Sequence, residues 1–177
     1  MSFSNPSSII KYLALTESMK VADFGAGTGA YTKEASRLVG VSGRVYAIEI
    51  QKELATRLKA ELKHDGVTNT EVIWGNIEKR GGSELHDAVI DAVILANTLF
   101  LVPDKVELLK EIARILKPGG KLLLVEWSDS FGGIGPLPDM VVPSAQAESL
   151  FASHGFSLVE QIPESGDHHY GMIFIRA

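Results

Sequence analysis

The stretch Val21–Thr32, VADFGAGTGAYT, decides the fold. Lys20–Phe24 is a short, largely apolar run that stops at three glycines set one residue apart, Gly25, Gly27 and Gly29. A helical stretch from Tyr31 to about Val39 follows at once. A strand that runs into a glycine bend and then a helix is the opening half of a βαβ unit, and in sheets of such units ligands bind beyond the C-terminal ends of the strands. Glycine in that bend permits backbone conformations closed to other residues and lets a ligand touch the main chain.

The same alternation continues outward. Arg44–Ile50 (RVYAIEI) reads as the second strand. Gln51–Asp65 reads as a helix with Leu54, Leu58 and Leu62 on one face, a Glu53–Arg57 pair at i,i+4 and Gly66 as its stop. Thr70–Trp74 and Asp91–Ala96 are the third and fourth strands. Asp104–Leu116 is an amphipathic helix halted by Lys117-Pro118-Gly119-Gly120, and Lys121–Trp127, almost wholly apolar, is a central fifth strand. Ser144–His154 is a last helix. Phe156–Ile162 and Tyr170–Arg176 are closing strands with no helix between them, so they should pair antiparallel. Upstream, Asn5 caps and Pro6 opens an N-terminal helix within residues 1–18, with Ile9, Ile10, Leu13 and Ala14 as its buried side. The expected fold is α/β: a Rossmann-like, doubly wound, mostly parallel seven-stranded sheet with an antiparallel last strand and helices on both faces. At 177 residues one domain accounts for the whole chain.

Composition excludes several classes. Hydrophobic residues make up 45% and charged residues 22%, the balance of a globular protein rather than a disordered one. Seventeen Lys and Arg stand against twenty-two Asp and Glu with no basic run, so nucleic acid is a poor partner. With no cysteine there is no disulfide framework and no thiolate metal site, and no metal is expected. The N-terminus has neither the basic nor the apolar region of a signal peptide, and no apolar stretch reaches bilayer length. The expectation is a cytoplasmic protein with no integral-membrane segment, and a homodimer stays open.

Two ligands compete for the glycine bend. Gly25, Gly27 and Ala30 fit the dinucleotide spacing G-x-G-x-x-G/A, with Glu49 at the second strand end to hold a ribose. Asp23 argues for the other. Two residues before the first glycine, its carboxylate would face a pyrophosphate, and like charges there repel. A ligand carrying an ammonium and a sulfonium, S-adenosylmethionine, is favoured instead.

From about Met19 to Trp127 the chain resembles the class I S-adenosylmethionine-dependent methyltransferases, and within them the small-molecule group that includes the quinone-biosynthesis C-methyltransferases. Five motifs in order carry the resemblance: VADFGAGTGAYT, VYAIEI, WGNIEK, DAVILANTLFLV and LLKEIARILKPGGKLLLVEW. It implies that Gly25, Gly27 and Gly29 pack against the methionine and ribose portions, that Asp23 orients the methionine end, and that Glu49 accepts from both ribose hydroxyls. It also implies that Ile50 lies on the adenine face, that Asn76 and the Ile77 backbone meet the adenine edge, and that Asn97 sits beside the sulfonium. Many relatives have Asp where this chain has Asn76. Blander alternatives stay open beside these: Glu49 as an exposed strand-end acid, Asn76 as a turn cap and Asn97 ending its strand in an Asx turn.

Methyl transfer from a sulfonium needs alignment first and a base only where the acceptor must lose a proton. His168 and His169, in the run Asp167–Tyr170, are the candidate bases, with Glu126 the alternative. Phe131–Pro143, rich in Gly, Pro and large apolar residues, reads as a lid over the donor pocket with an apolar face, which favours a small or lipophilic acceptor. Asn97-Thr98-Leu99-Phe100 is not the Asn/Asp-Pro-Pro-aromatic motif of nucleic-acid base methylation, and the lack of cysteine excludes thiol-dependent arsenite methylation. Two other functions stay open: an NAD-dependent oxidoreductase, against which stand Asp23 and the missing Tyr-x-x-x-Lys set, and a protein that binds S-adenosylmethionine without transferring methyl.

Overall fold

The computed structural model describes residues 4–163 and 165–177. The reading of the N-terminus therefore bears partly on residues 1–3, which lie outside the described residues. Seven strands form one sheet in the order β3-β2-β1-β4-β5-β7-β6: β1 Lys20–Phe24, β2 Arg44–Glu49, β3 Thr70–Trp74, β4 Ile90–Ala96, β5 Leu116–Trp127, β6 Phe156–Ile162 and β7 His169–Arg176. β1 through β5 pair parallel, and β7 inserts antiparallel between β5 and β6. The short link after β6 permits only this reversal.

Strand parity divides the core. Val21, Val45, Ala92, Ile94, Leu123 and Val125 point to the face covered by α1 (Pro6–Ile9) and α2 (Ala30–Val39), and Ala47 meets Leu58 and Leu62 of α3 (Lys52–His64). Ala22, Phe24, Ile48, Val93, Leu122 and Leu124 point the other way, onto α4 (Lys105–Ile115) and α5 (Ser144–Ala152). Because successive side chains alternate in a strand, a sheet buried on both faces needs apolar residues in near-continuous runs, as β4 and β5 show.

Several local expectations change. The Asn5 side chain accepts from the Ser7 backbone and Pro6 is the first helical residue, but after Ile9 the turn tightens to a 3₁₀ helix at Ile10–Leu13. Ala14 follows in the left-handed region at φ 51 and is exposed, so it ends the helix rather than lining its buried side. On α3, Arg57 pairs with Glu61 instead of Glu53. Leu116 leaves α4 in extended conformation and pairs with Ile90, while Pro118–Gly120 bulges out before Ala92 meets Lys121. The crossover from β3 to β4, residues 75–89, contains no helix.

That irregular crossover needs partners for its backbone, and Glu111 on α4 supplies them. Its fully buried carboxylate accepts from the Gly81 and Ser83 amides and the Ser83 hydroxyl, and Arg114 pairs with it at 2.7 Å. Burial pushes the Glu111 pKa up, but Arg114 and the donors from Ser83 and Gly81 outweigh it and hold the group at about 2. Arg114 also reaches the Leu85 carbonyl and Asp87.

Candidate functional site

The bend after β1 is built as its sequence requires. Gly25 and Ala26 donate to the Ile48 carbonyl of β2, which folds the loop over the end of the neighbouring strand. Gly25 has φ +76, and a Cβ there would lie 2.4 Å from Thr98 Oγ1. Gly25→Ala should therefore unfold or displace the bend, visible as a fall in melting temperature together with loss of nucleoside binding. At Gly27, φ +53, an added Cβ would meet only the Gly25 carbonyl oxygen, at 3.9 Å, an ordinary van der Waals contact. Main chain is thus left bare towards a cavity.

Glu49 closes β2 and is 5% exposed. Its Oε2 accepts from the Gly27 amide at 3.0 Å and its Oε1 from the Gln51 amide at 2.9 Å. Each oxygen keeps a further lone-pair direction, and the carboxylate lines a cavity of about 260 Å³. Glu49 is therefore not an exposed strand-end acid. Ile50, Leu54, Ile77, Leu101 and Val102 give that cavity apolar walls, and Gln51, Glu78, Asn97 and Thr98 its remaining polar groups.

A second cavity, of about 410 Å³, lies on the other side of the bend and shares Gly25, Gly27 and Asn97 with the first. Asp23 faces it, 2% exposed, with its Oδ2 taking the Thr32 hydroxyl at 2.6 Å. Burial raises the Asp23 pKa to about 6, partly offset by the donors from Thr32. A cation in this cavity would keep it ionised. Asn97 sits at φ 52 and its buried Oδ1 has no partner among the described residues, so it makes no Asx turn; Thr98 instead donates back to the Ala96 carbonyl. A buried carbonyl oxygen without a donor is a place for a ligand's N–H.

The structure thus gathers Asp23, Gly25, Gly27, Glu49, Ile50, Ile77 and Asn97 along two adjoining cavities. Gly29 caps α2 behind the bend, with Leu58 packed against it. Asn76 stands apart: its Oδ1 accepts from the Glu78 amide, so it shapes the turn that presents Ile77 and Glu78 to the cavity.

The candidate bases and the lid lie elsewhere. His168 sits 2.9 Å from Asp129 and stacks on Phe131 at 4.0 Å. His169 is buried against the Trp127 ring, both its nitrogens unpartnered among the described residues, and burial lowers its pKa and favours its neutral form. Residues 131–143 lie over the ends of β5 and β7 and line neither cavity: Gly135 packs on the Trp127 ring and the Val142 carbonyl accepts from the Tyr170 hydroxyl. Glu126 is fully buried. It accepts from the Trp127 and Phe100 amides, and burial raises its pKa to about 7. It acts on the site indirectly, by pinning the 3₁₀ turn Leu99–Leu101 whose end forms the cavity wall. Gln51, Leu54, Thr98, Leu101 and Val102 line the cavity without having been singled out from the sequence. The DAVILANTLFLV motif was the signal available for three of them.

No group of three or more metal-ligating side chains occurs among the described residues. No helix among them is long and apolar enough to cross a membrane.

The family description "Methyltransferase domain" matches residues 15–157. The ubiquinone/menaquinone biosynthesis C-methyltransferase UbiE of Cronobacter sakazakii is 36% identical over 110 residues, covering 62% of this chain and 43% of that protein. The demethylmenaquinone methyltransferase of Lactococcus lactis is 33% identical over 110 residues, covering 62% and 42%. The chain thus spans less than half the length of these two relatives. A S-adenosylmethionine-dependent methyltransferase of Aquifex aeolicus superposes with a TM-score of 0.89 at 26% identity, over 99% of this chain and 91% of that one. A cavity with a buried acid beside a glycine bend, in this strand order and with these similarities, has one reading: the chain belongs to the methyltransferase-domain family, the class I S-adenosylmethionine-dependent methyltransferases.

Proposed function

We propose that this protein binds S-adenosylmethionine across the glycine bend and methylates a small lipophilic acceptor of quinol type. The observation that carries the reading is the paired cavity, with a ribose-competent carboxylate on one side of Gly25–Gly27 and a buried carboxylate suited to a cation on the other. When bound, S-adenosylmethionine supplies a methyl group already activated by its sulfonium. The chain's own residues then have a positioning task. Glu49 fixes the ribose, Ile50, Leu54 and Ile77 flank the base, and Leu101 and Val102 exclude water. Asp23, held by Thr32, sets a negative potential at the amino-acid end. Asn97, at the joint of the two cavities, offers its free oxygen beside the reacting centre. The quinone-biosynthesis relatives support the acceptor class.

Thermal-shift titrations should show stabilisation by S-adenosylmethionine and by its demethylated product, and none by NAD. Stabilisation by NAD alone would restore the oxidoreductase reading. Incubation with a reduced naphthoquinone or benzoquinone should add the mass of one methyl group to the acceptor. Binding without such a product from a panel of phenols and quinols would favour the non-catalytic alternative.

A further inference from the structure

The second cavity contains a polar group that the reading above does not use. Tyr31 lies in the first turn of α2, packed among Ile9, Ile10, Val21 and Ala35, and is 7% exposed. The residue lines the cavity shared with Asp23 and Asn97, and its hydroxyl is buried at the wall. The Ser4 side chain lies nearby, but among the described residues no group meets hydrogen-bond geometry with that hydroxyl. Burial, reinforced by the Asp23 charge, pushes the phenol far above its ordinary pKa, so at neutral pH it is protonated and able to donate.

The cavity therefore contains a donor and acceptors in separate places. Ionised Asp23 and the Asn97 side-chain oxygen accept only, while the Tyr31 hydroxyl can donate. The Thr32 hydroxyl is already spent on Asp23. An amino-acid terminus has the matching inventory: an ammonium that only donates and a carboxylate that only accepts. Asp23 repels the carboxylate, so the carboxylate must turn to a neutral donor. Resting on the cofactor reading above, we propose that the Tyr31 hydroxyl donates to the carboxylate of the bound ligand's amino-acid arm, and so selects ligands that retain that carboxylate.

Calorimetric titration of the whole chain tests this with three nucleosides. S-adenosylhomocysteine has the full arm, decarboxylated S-adenosylmethionine keeps the ammonium but lacks the carboxylate, and 5′-methylthioadenosine lacks the arm altogether. Tyr31→Phe keeps the ring packing. It should weaken S-adenosylhomocysteine binding by about 10- to 100-fold, the range of a hydrogen bond to a charged group, and leave the other two ligands within about twofold. Equal losses for all three ligands, or no loss for any, would overturn the assignment. A second measurement needs no variant: the wild-type chain should bind S-adenosylmethionine about 10- to 100-fold more tightly than its decarboxylated form, and equal affinity would refute the proposal. If the wild-type chain bound none of these nucleosides, the cofactor reading itself would fall.

Discussion

Glu49→Ala should weaken binding of S-adenosylmethionine and S-adenosylhomocysteine by about 100- to 10,000-fold. The carboxylate stands nearly buried at the end of β2, lines the cavity, and accepts one backbone amide on each oxygen, which leaves each oxygen capacity for a further donor. Two ligand hydroxyls donating to it would form charge-assisted bonds of about 1.5–3 kcal/mol each, and removal of both gives that range. The substitution also releases the Gly27 and Gln51 amides, so the bend loses its tie to β2. Glu49→Gln separates the two effects: it keeps one acceptor and the side-chain volume and should fall between wild type and alanine. Isothermal titration measures both, with circular dichroism to check folding. Unchanged affinity in Glu49→Ala would remove the nucleoside from this cavity.

The second large effect is on stability. From pH 5 to pH 8.5 the urea-unfolding free energy should fall by about 3 kcal/mol through Glu126 alone. Its pKa is 4.5 when unfolded and about 7 when folded, so the folded state binds the proton more tightly. That contribution is complete below pH 4.5 and is lost as pH rises through 7. Asp23, raised to about 6, acts with the same sign in a window one unit lower, and a bound cationic ligand should cancel its part. His169 has the opposite sign: burial favours its neutral form, so its contribution is lost as pH falls below its ordinary value. Glu111, held at about 2, loses its contribution only in acid. Lys105, which lowers the Glu126 pKa, and Tyr170 are the titratable neighbours facing Glu126. In Glu126→Gln the fall between pH 4.5 and pH 7 should vanish, even if the amide fits the Phe100 and Trp127 donors poorly and lowers the whole curve. A wild-type curve flat between pH 5.5 and 8.5 would refute the account.

Much of the fold is legible in the chain because its signals are local. The runs of β1 to β5, the helical periods and the turn residues each act over a few positions, and the missing helix before the last strand forces the antiparallel insertion. The glycine bend and Glu49 are legible for the same reason: their chemistry is tied to strand ends. The cavity wall is less so. Thr98, Leu101 and Val102 carry no local signal of a site, and the Glu126 tether to Phe100 holds their turn at the cavity wall. Asn76 and Asn97 show the limit most clearly. The two share a residue type and a place beside strand ends, yet one spends its oxygen on a turn and the other leaves it bare, a difference decided by backbone dihedrals that residue type does not encode. His168 and His169 looked reactive because they are adjacent titratable groups. In the fold, one pairs with Asp129 and the other is sealed under Trp127.

The placement of β7 has a consequence for synthesis on the ribosome. It is the last strand to emerge, yet it lies between β5 and β6. Until it arrives, the apolar flank of β5 is an open template for the strands of other nascent chains, and β6 has no neighbour to register against. Completion of the sheet is therefore a late, all-at-once event that depends on residues 169–176. Slow translation or premature termination just upstream should convert the polypeptide into an aggregation-prone species rather than a slightly shortened domain.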